Sequence, residues 1–299
     1  MEEGRRDIAG GMLTALAAVL FGAVVTLGRS PTVRDIPVSS ILSLRFGVAA
    51  AVLALILVAG RRSLRPARGE WWRLVLLGAV GYAVESAFFF LALGRGTAAT
   101  VTLLFYTYPV WVALLTAVAG RGGPGALVGS SLVAAVGGAG LVVASSGGLD
   151  ITALGIVFAL ASAITISVFL LGLEVLVTRT PSTVSSMWIA LSASAAHLVF
   201  AVVSGTGRLP LTDEVLPVVS MGVLTSGAFL LLFLGVRRLG AVRSSIISSL
   251  EPVAAAALAL VFLGEDLRLG VLGGGALIVA GAITATLARG VREPEDALP

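Results

Sequence analysis

Ten stretches of this chain are each apolar over about 20 residues, the length an α-helix needs to cross the hydrocarbon core of a bilayer. They cover roughly 8–28, 38–60, 71–94, 97–119, 126–145, 151–174, 184–204, 215–236, 242–263 and 269–288. No water reaches the bilayer core to satisfy a stray backbone N–H or C=O, so such runs fold as helices that satisfy their own. The expected architecture is an all-α integral membrane fold with ten transmembrane helices. Composition agrees: 58% of the 299 residues are hydrophobic and 12% are charged, where a water-soluble chain carries roughly 25% charge. The third and fourth stretches are nearly fused, and only Gly94-Arg95-Gly96 marks a turn between them. The first follows Arg5 and Arg6 as a signal peptide would, but it is too long and lacks a small-x-small cleavage site, so it reads as an uncleaved helix.

Loop charge orients the ten spans. All twenty basic residues are arginine, and lysine, asparagine and glutamine are absent, which reads as a compositional bias of the source genome. With both termini cytoplasmic, fourteen arginines, Arg289 and Arg292 included, fall on the inner side. Five, Arg29, Arg34, Arg95, Arg208 and Arg268, fall on the outer side, and Arg45 lies within a span. The positive-inside rule selects this orientation. The chain is thus expected in the cytoplasmic (inner) membrane as a multi-pass protein. Its formal charge of +4 reports orientation, with no nucleic-acid partner implied.

Several chemistries are excluded. Cysteine is absent and His197 is the single histidine, which removes disulfides, thiol catalysis and multi-histidine metal sites. No HExxH, GxSxG or phosphate-binding GK[ST] pattern occurs, and no dense acidic cluster, so an enzyme, a metal and a cofactor are not expected. No partner protein is implied.

Residues 98–141 align with 241–284 without a gap, at an offset of 143. The register pairs Pro109 with Pro252 and the Gly138-Ala139 pair with Gly281-Ala282. The chain then divides into 1–147 with spans one to five and 148–299 with spans six to ten. An odd number of spans per repeat makes the second enter from the opposite side. The result is a pair of inverted repeats around a pseudo-two-fold axis in the membrane plane, a construction of many secondary transporters.

"AFFFLALGRGTAATVTLLFYTYPVWVALL" (Ala87–Leu115) and "SSIISSLEPVAAAALALVFLGEDLRLGVLGGGALIVAGAI" (Ser244–Ile283) resemble the drug/metabolite transporter superfamily, most of all its EamA-type ten-helix exporters. The most specific portion is Glu251–Val253, Leu263–Glu265 and the glycine-rich run from Gly270 to Gly281. The first half departs from it: Tyr108 stands where the second half has Glu251, and "AGRGGPG" lacks the acidic residue. The resemblance implies export of small metabolites, amino acids among them, by alternating access.

An ionised side chain at the centre of a span costs about 2.5–3.5 kcal/mol on insertion scales, so each intramembrane polar group calls for a partner, a wet cavity or a proton. On a continuous helix Ser244, Ser248 and Glu251 would form one polar stripe at i, i+4 and i+7. Pro252 lacks an N–H and would leave the Ser248 carbonyl without its usual partner. The repeat sets Tyr108 and Pro109 opposite Glu251 and Pro252, which suggests a pocket with an acidic wall and an aromatic wall, gated by two proline breaks. Glu85, with Tyr82 and Phe89 one turn to either side, joins the candidate substrate-binding set. Glu251, Glu85 and His197 are the candidate proton-coupling residues. Arg45, about 10 Å from the outer end of its span, either reaches outward or pairs with Glu85. Each of these groups also has a plain reading as an interhelical bond.

Glu174, Glu265 and Asp266 sit at span ends, where solvated charge is ordinary. Trp71 and Trp72 read as an interfacial anchor. Ala18/Gly22 and Ala276/Ala280, with Gly273-Gly274-Gly275, have the small-residue spacing of close helix packing. The expected function is a secondary transporter exporting small metabolites, foremost amino acids. Export of drugs or amines is the alternative, with a facilitative channel or an intramembrane enzyme behind it.

Overall fold

The structure, a computed structural model, describes residues 2–28, 30, 32–33, 35–145, 150–264 and 269–288. The junction at 147/148, Arg29, Arg34, Glu265, Asp266, Arg268, Arg289 and Arg292 lie outside the described residues. Among the described residues, ten helices are long and apolar enough to cross a membrane. They are α1 Glu2–Gly28, α2 Val38–Ala59, α3 Trp71–Leu93, α4 in two segments, Ala98–Phe105 and Tyr108–Val118, and α5 Ala126–Ala144. The second repeat supplies α6 Ala153–Leu176, α7 Ser182–Val203, α8 Thr212–Leu239, α9 in two segments, Ala241–Ser248 and Glu251–Leu263, and α10 Leu269–Leu287.

Local chemistry explains the boundaries. The turn after α3 forms at Gly94 and Arg95, whose N–H groups reach back to Phe90 and Ala92 at 3.1 and 2.8 Å. Thr97 then caps α4 by accepting from the Thr100 N–H at 3.3 Å, so the nearly fused spans separate over the four residues from Gly94 to Thr97. Within α3, Leu77–Tyr82 adopts a π-helical turn. This wider turn lies where Gly78 meets α7: a Cβ there would come within 2.5 Å of the Ile189 carbonyl. Helix α8 begins three residues before the apolar run, because the Glu214 carboxylate accepts the Leu211 N–H at 2.7 Å and closes the first turn.

The repeat is visible in the element bounds. The α4 segment Ala98–Phe105 and the α9 segment Ala241–Ser248 differ by 143 at both ends, as do α5 and α10. Both breaks take the same form. Thr107 and Leu250 donate to Leu104 and Ile247, three residues back, at 3.2 and 3.1 Å. Each proline then occupies the first turn of the following segment, where its missing N–H breaks no helical bond. Helix α9 is therefore not one continuous helix over Ser244, Ser248 and Glu251. Its break lies between Ser248 and Glu251, where Ser249 and Leu250 make tighter i to i−3 bonds and interrupt the i, i+4, i+7 register between Ser248 and the carboxylate.

Helices α5 and α10 meet across the symmetry axis. A Cβ on Gly138 would lie 2.5 Å from the Gly274 carbonyl, and a Cβ on Gly281 would lie 2.9 Å from the Ser131 carbonyl. At the repeat offset, Gly138 corresponds to Gly281 and Ser131 to Gly274, so the two contacts are one contact repeated by a two-fold axis. The packing face is thus Gly274 and Gly281. Ala276 and Ala280, expected at the contact, point outward, and Gly273 has nothing against it, because the helical period puts them on the other side. Gly22 does pack as expected, with its α1 backbone against the start of the second α9 segment: a Cβ there would lie 3.0 Å from the Glu251 carbonyl.

The repeats do not form separate bundles. Their helices interleave: α1 packs along α8 and α9, α6 packs along α3 and α4, and α2–α7 and α5–α10 pair across the axis. Two carboxylates, each at the start of the third helix of its repeat, brace this arrangement at opposite membrane faces. Glu70, buried, accepts the N–H groups of Thr178, Arg179 and Thr180 at 3.1, 3.0 and 2.9 Å, and the Thr180 hydroxyl at 2.5 Å. Arg237 holds the Thr180 and Thr178 carbonyls of the same loop at 2.7 and 2.8 Å. At the other face Glu214 pairs with Arg208 at 2.7 Å, and the Arg208 N–H reaches Ser40 at 2.9 Å.

Candidate functional site

An aromatic cluster packs in the buried core beside the intramembrane polar residues. Phe46 of α2, Tyr82 of α3, Phe169 of α6 and Phe229 of α8 lie with ring centroids 5.1–5.7 Å apart in successive contacts. Phe46 and Phe229 are wholly buried, while Tyr82 is partly open. The π turn ends at Tyr82, so its extra residue sets the direction in which Tyr82 and, three residues on, Glu85 leave α3.

Glu85 is buried. Its two oxygens accept the hydroxyls of Ser162 on α6 at 2.9 Å and Ser86 at 3.1 Å, which tie the carboxyl to the α3–α6 contact. Glu251 opens the second segment of α9 beside the helix break and is only partly buried. The Tyr106 hydroxyl, from the matching break in α4, lies near the Glu251 carboxylate. Arg45, Tyr82, Glu85 and Glu251 are close enough to act on one another electrostatically, and they come from three helices, α2, α3 and α9. The guanidinium of Arg45 sits 4.4 Å from the Phe46 ring centroid. Buried His197 of α7 stacks on that same ring at 5.9 Å, and its Nε2 has no hydrogen-bond partner among the described residues.

Glu85, Tyr82 and Glu251 thus share one neighbourhood, with His197 joining it through Phe46 and Arg45. Phe89 stands apart, packed on Phe90 and Phe105 at 5.9 and 5.3 Å. Tyr108 is buried as a brace between helices. Its hydroxyl donates to the Ser245 carbonyl at 3.2 Å, and its own carbonyl accepts from Ser167 of α6 at 3.0 Å. The tyrosine beside Glu251 is Tyr106, two residues before the position that the repeat singles out. Ser248 is partly open and lies beside the Tyr108 hydroxyl. Ser244 is fully buried, with an unpartnered hydroxyl. Pro109 and Pro252 each open the helical segment that follows a break.

Sequence reasoning also missed the cross-helix work of Glu174. One of its oxygens pairs with Arg121 at 3.2 Å and the other accepts the Ala241 N–H at 2.8 Å, joining the α4–α5 loop, α6 and α9. A cavity of about 280 Å³ opens at this arginine-rich end, lined by Thr116, Arg121, Glu174, Leu239 and Arg243. Arg243 is committed elsewhere, donating to the Ala285 and Thr286 carbonyls at 2.7 and 2.6 Å and pairing with Asp7 at 3.3 Å. Among the described residues, no group of three or more acidic or histidine side chains is placed to hold a metal.

Comparison with known proteins agrees with this architecture. A protein of known crystal structure aligns over 92% of this chain and 98% of its own length, with a TM-score of 0.76 at 24% identity. At that identity the likeness speaks for the fold alone. Comparison with curated proteins gives no match. The model of the EamA-like transporter family matches twice, over residues 9–144 and 153–287, once for each five-helix repeat. With ten helices long and apolar enough to cross a membrane among the described residues, two copies of the family's repeat and a polar cluster between its broken helices, the chain belongs to the EamA-like transporter family, whose members move small molecules across membranes.

Proposed function

We propose that this transporter is a secondary carrier that exports amino acids across the cytoplasmic membrane by alternating access, with both its termini in the cytoplasm. One observation carries the reading: Glu251, Glu85, Arg45 and Tyr82 converge from three helices beside a helix break at membrane depth. Charged groups and irregular backbone are tolerated at that depth where they line protein or a wet cavity. In this reading Glu251, partly open and held beside the Tyr106 hydroxyl, faces the substrate ammonium group. Tyr82 supplies aromatic surface and Ser248 polar surface, both being partly open, and the breaks at Pro109 and Pro252 let the helices flex. Glu251 is also the candidate proton carrier, with Glu85 and His197 beside it. The arginine bias between loops supports the orientation, and the cavity at the arginine-rich end supports access from the cytoplasm.

The test is uptake into proteoliposomes from a panel of amino acids, amines and sugars, with and without an imposed pH gradient. Saturable, trans-stimulated flux of an amino acid is expected, and Glu251→Gln should lower it at least ~10-fold, the scale of one lost charge-assisted contact. A panel without saturable amino-acid flux overturns the substrate class. A Glu251→Gln carrier with unchanged flux and unchanged response to the gradient overturns the role of the carboxylate. The two carboxylates and the aromatic cluster also favour a second reading, export of organic amines, which the same panel separates by the substrate it accepts.

A further inference from the structure

Arg45 is the unexplained charge in this site. It lies in the apolar span α2, seven residues from its outer end, where an arginine is costly unless something answers its charge. Other arginines near span ends are committed: Arg243 to two carbonyls and Asp7, Arg237 to two carbonyls, Arg208 to Glu214. Arg45 has no such bonds among the described residues. Among the described residues no ion pair joins it to any carboxylate, its buried Nε has no hydrogen-bond partner, and the side chain as a whole is only partly buried. What it has is the face of Phe46 at 4.4 Å, a platform that fixes the plane of a guanidinium without using its N–H groups. Position is held as well, because Gly222 of α8 brings its backbone against the Arg45 carbonyl: a Cβ there would lie 2.9 Å away.

Glu85 and Glu251 are near enough to balance the charge but not to bond it. Glu85 is already satisfied by two serine hydroxyls, so it has little reason to close on the guanidinium. The result is a preset guanidinium, donors open, facing the same neighbourhood as a partly open carboxylate on another helix. A guanidinium offers a planar fork of donors that matches a carboxylate, and a carboxylate matches an ammonium group. A ligand with both groups a few ångströms apart would complete both partners at once.

We infer that Arg45 is a specificity-determining residue that binds the carboxylate of a zwitterionic substrate, so that the site takes α-amino acids in preference to the corresponding amines. The inference rests on the amino-acid reading above and sharpens it. A purely structural role, neutralising Glu85 and Glu251, predicts something different. Removing the arginine would then weaken every substrate alike, or favour amines and amino acids equally.

The experiment measures binding of leucine and 3-methylbutylamine, and of phenylalanine and 2-phenylethylamine, to the purified carrier by calorimetry. Each amine is its amino acid without the carboxylate. The native protein should bind the amino acid about 10- to 100-fold more tightly than the amine, the range of one charge-assisted bidentate contact. Arg45→Gln should erase that ratio by weakening the amino acid while leaving the amine within a few-fold. Arg45→Lys, which keeps the charge but not the fork, should recover part of it and gives a readout if the glutamine variant does not fold. A native carrier that prefers the amines, or variants that keep the native ratio, overturn the inference and leave the transporter itself standing. A native carrier that binds neither member of either pair overturns the amino-acid reading and the inference with it.

Discussion

Glu70 shows how much one carboxylate does when the chain closes around it. Burial by itself would raise its pKa, but the Thr180 hydroxyl and the three N–H groups of Arg179, Thr180 and Thr178 outweigh burial and hold it at about 2, below its ordinary 4.5. A carboxylate with a depressed pKa stabilises the fold wherever it is ionised. Its contribution is whole above about pH 4.5, where the unfolded chain is ionised too. It declines as pH falls from there towards about 2, because protons then bind the unfolded chain first. Thermal unfolding in detergent should therefore show the native carrier losing stability from pH 5 to pH 3. Glu70→Gln should start lower at pH 7 and lose less over that interval. Parallel pH curves would mean that the clamp carries no net stability. Nothing in the sequence around Glu70 announces this role, since its partners lie 108–110 residues away and meet it only through packing. Glu85 and Glu251 were legible because a carboxylate in an apolar run stands out, but Ser162, which holds Glu85 from 77 residues away, was not. Tyr106 was passed over for Tyr108 because the repeat aligns residues by position, while the turn at the break decides which ring faces the carboxylate.

Among the helices, length and apolarity were enough to locate all ten spans, and the shared proline was enough to locate both breaks. The π turn in α3 was not legible, because no residue pattern marks it; it coincides with the close approach of Gly78 to α7. Helix faces were only partly legible: the spacing of small residues shows that close packing is feasible, and the neighbouring helix decides where. Two adjacent glycines in α5 separate these effects. Gly138 abuts the Gly274 carbonyl, whereas Gly137 has nothing within 4 Å. Gly138→Ala should therefore push α5 from α10 and destabilise by about 1–3 kcal/mol, as overpacking does. Gly137→Ala should be neutral or stabilise by up to about 1 kcal/mol, the helix preference of alanine over glycine. Opposite signs at neighbouring positions, read as shifts in thermal midpoint, are the expected outcome. A loss of similar size at both would locate the effect in the backbone of α5 and not in the contact.

For the whole molecule, the repeat predicts symmetry but not which parts move together. Two five-helix halves rocking past each other is the natural expectation from sequence, yet α6 packs with α3 and α4, and α1 packs with α8 and α9. The bodies that the packing favours are these two groups, each with one helix from the opposite repeat. Because the chain has no cysteine, cross-links can tell the two schemes apart. Gly96 and Ile151 form an isolated antiparallel bridge flanked by the Thr97–Asp150 and Thr152–Arg95 hydrogen bonds at 2.8 and 3.0 Å. In such a non-hydrogen-bonded pair the Cα atoms are about 4.5 Å apart, within reach of a disulfide. That disulfide would join the two sequence repeats but lie inside the α3–α4–α6 group. Arg121 and Val242 line the same cavity, one after α4 and the other in α9, so a short dithiol-reactive linker between cysteines there would join the two packed groups. If the packed groups are the moving bodies, the 96–151 disulfide leaves transport largely intact. The 121–242 link should instead abolish it until reduced, with each single-cysteine variant active. The reverse pattern would restore the sequence halves as the moving bodies, and it would imply that the long α1–α8 and α3–α6 contacts slide during each cycle, a motion that close-packed glycine and threonine contacts such as Gly235 against Thr14 oppose.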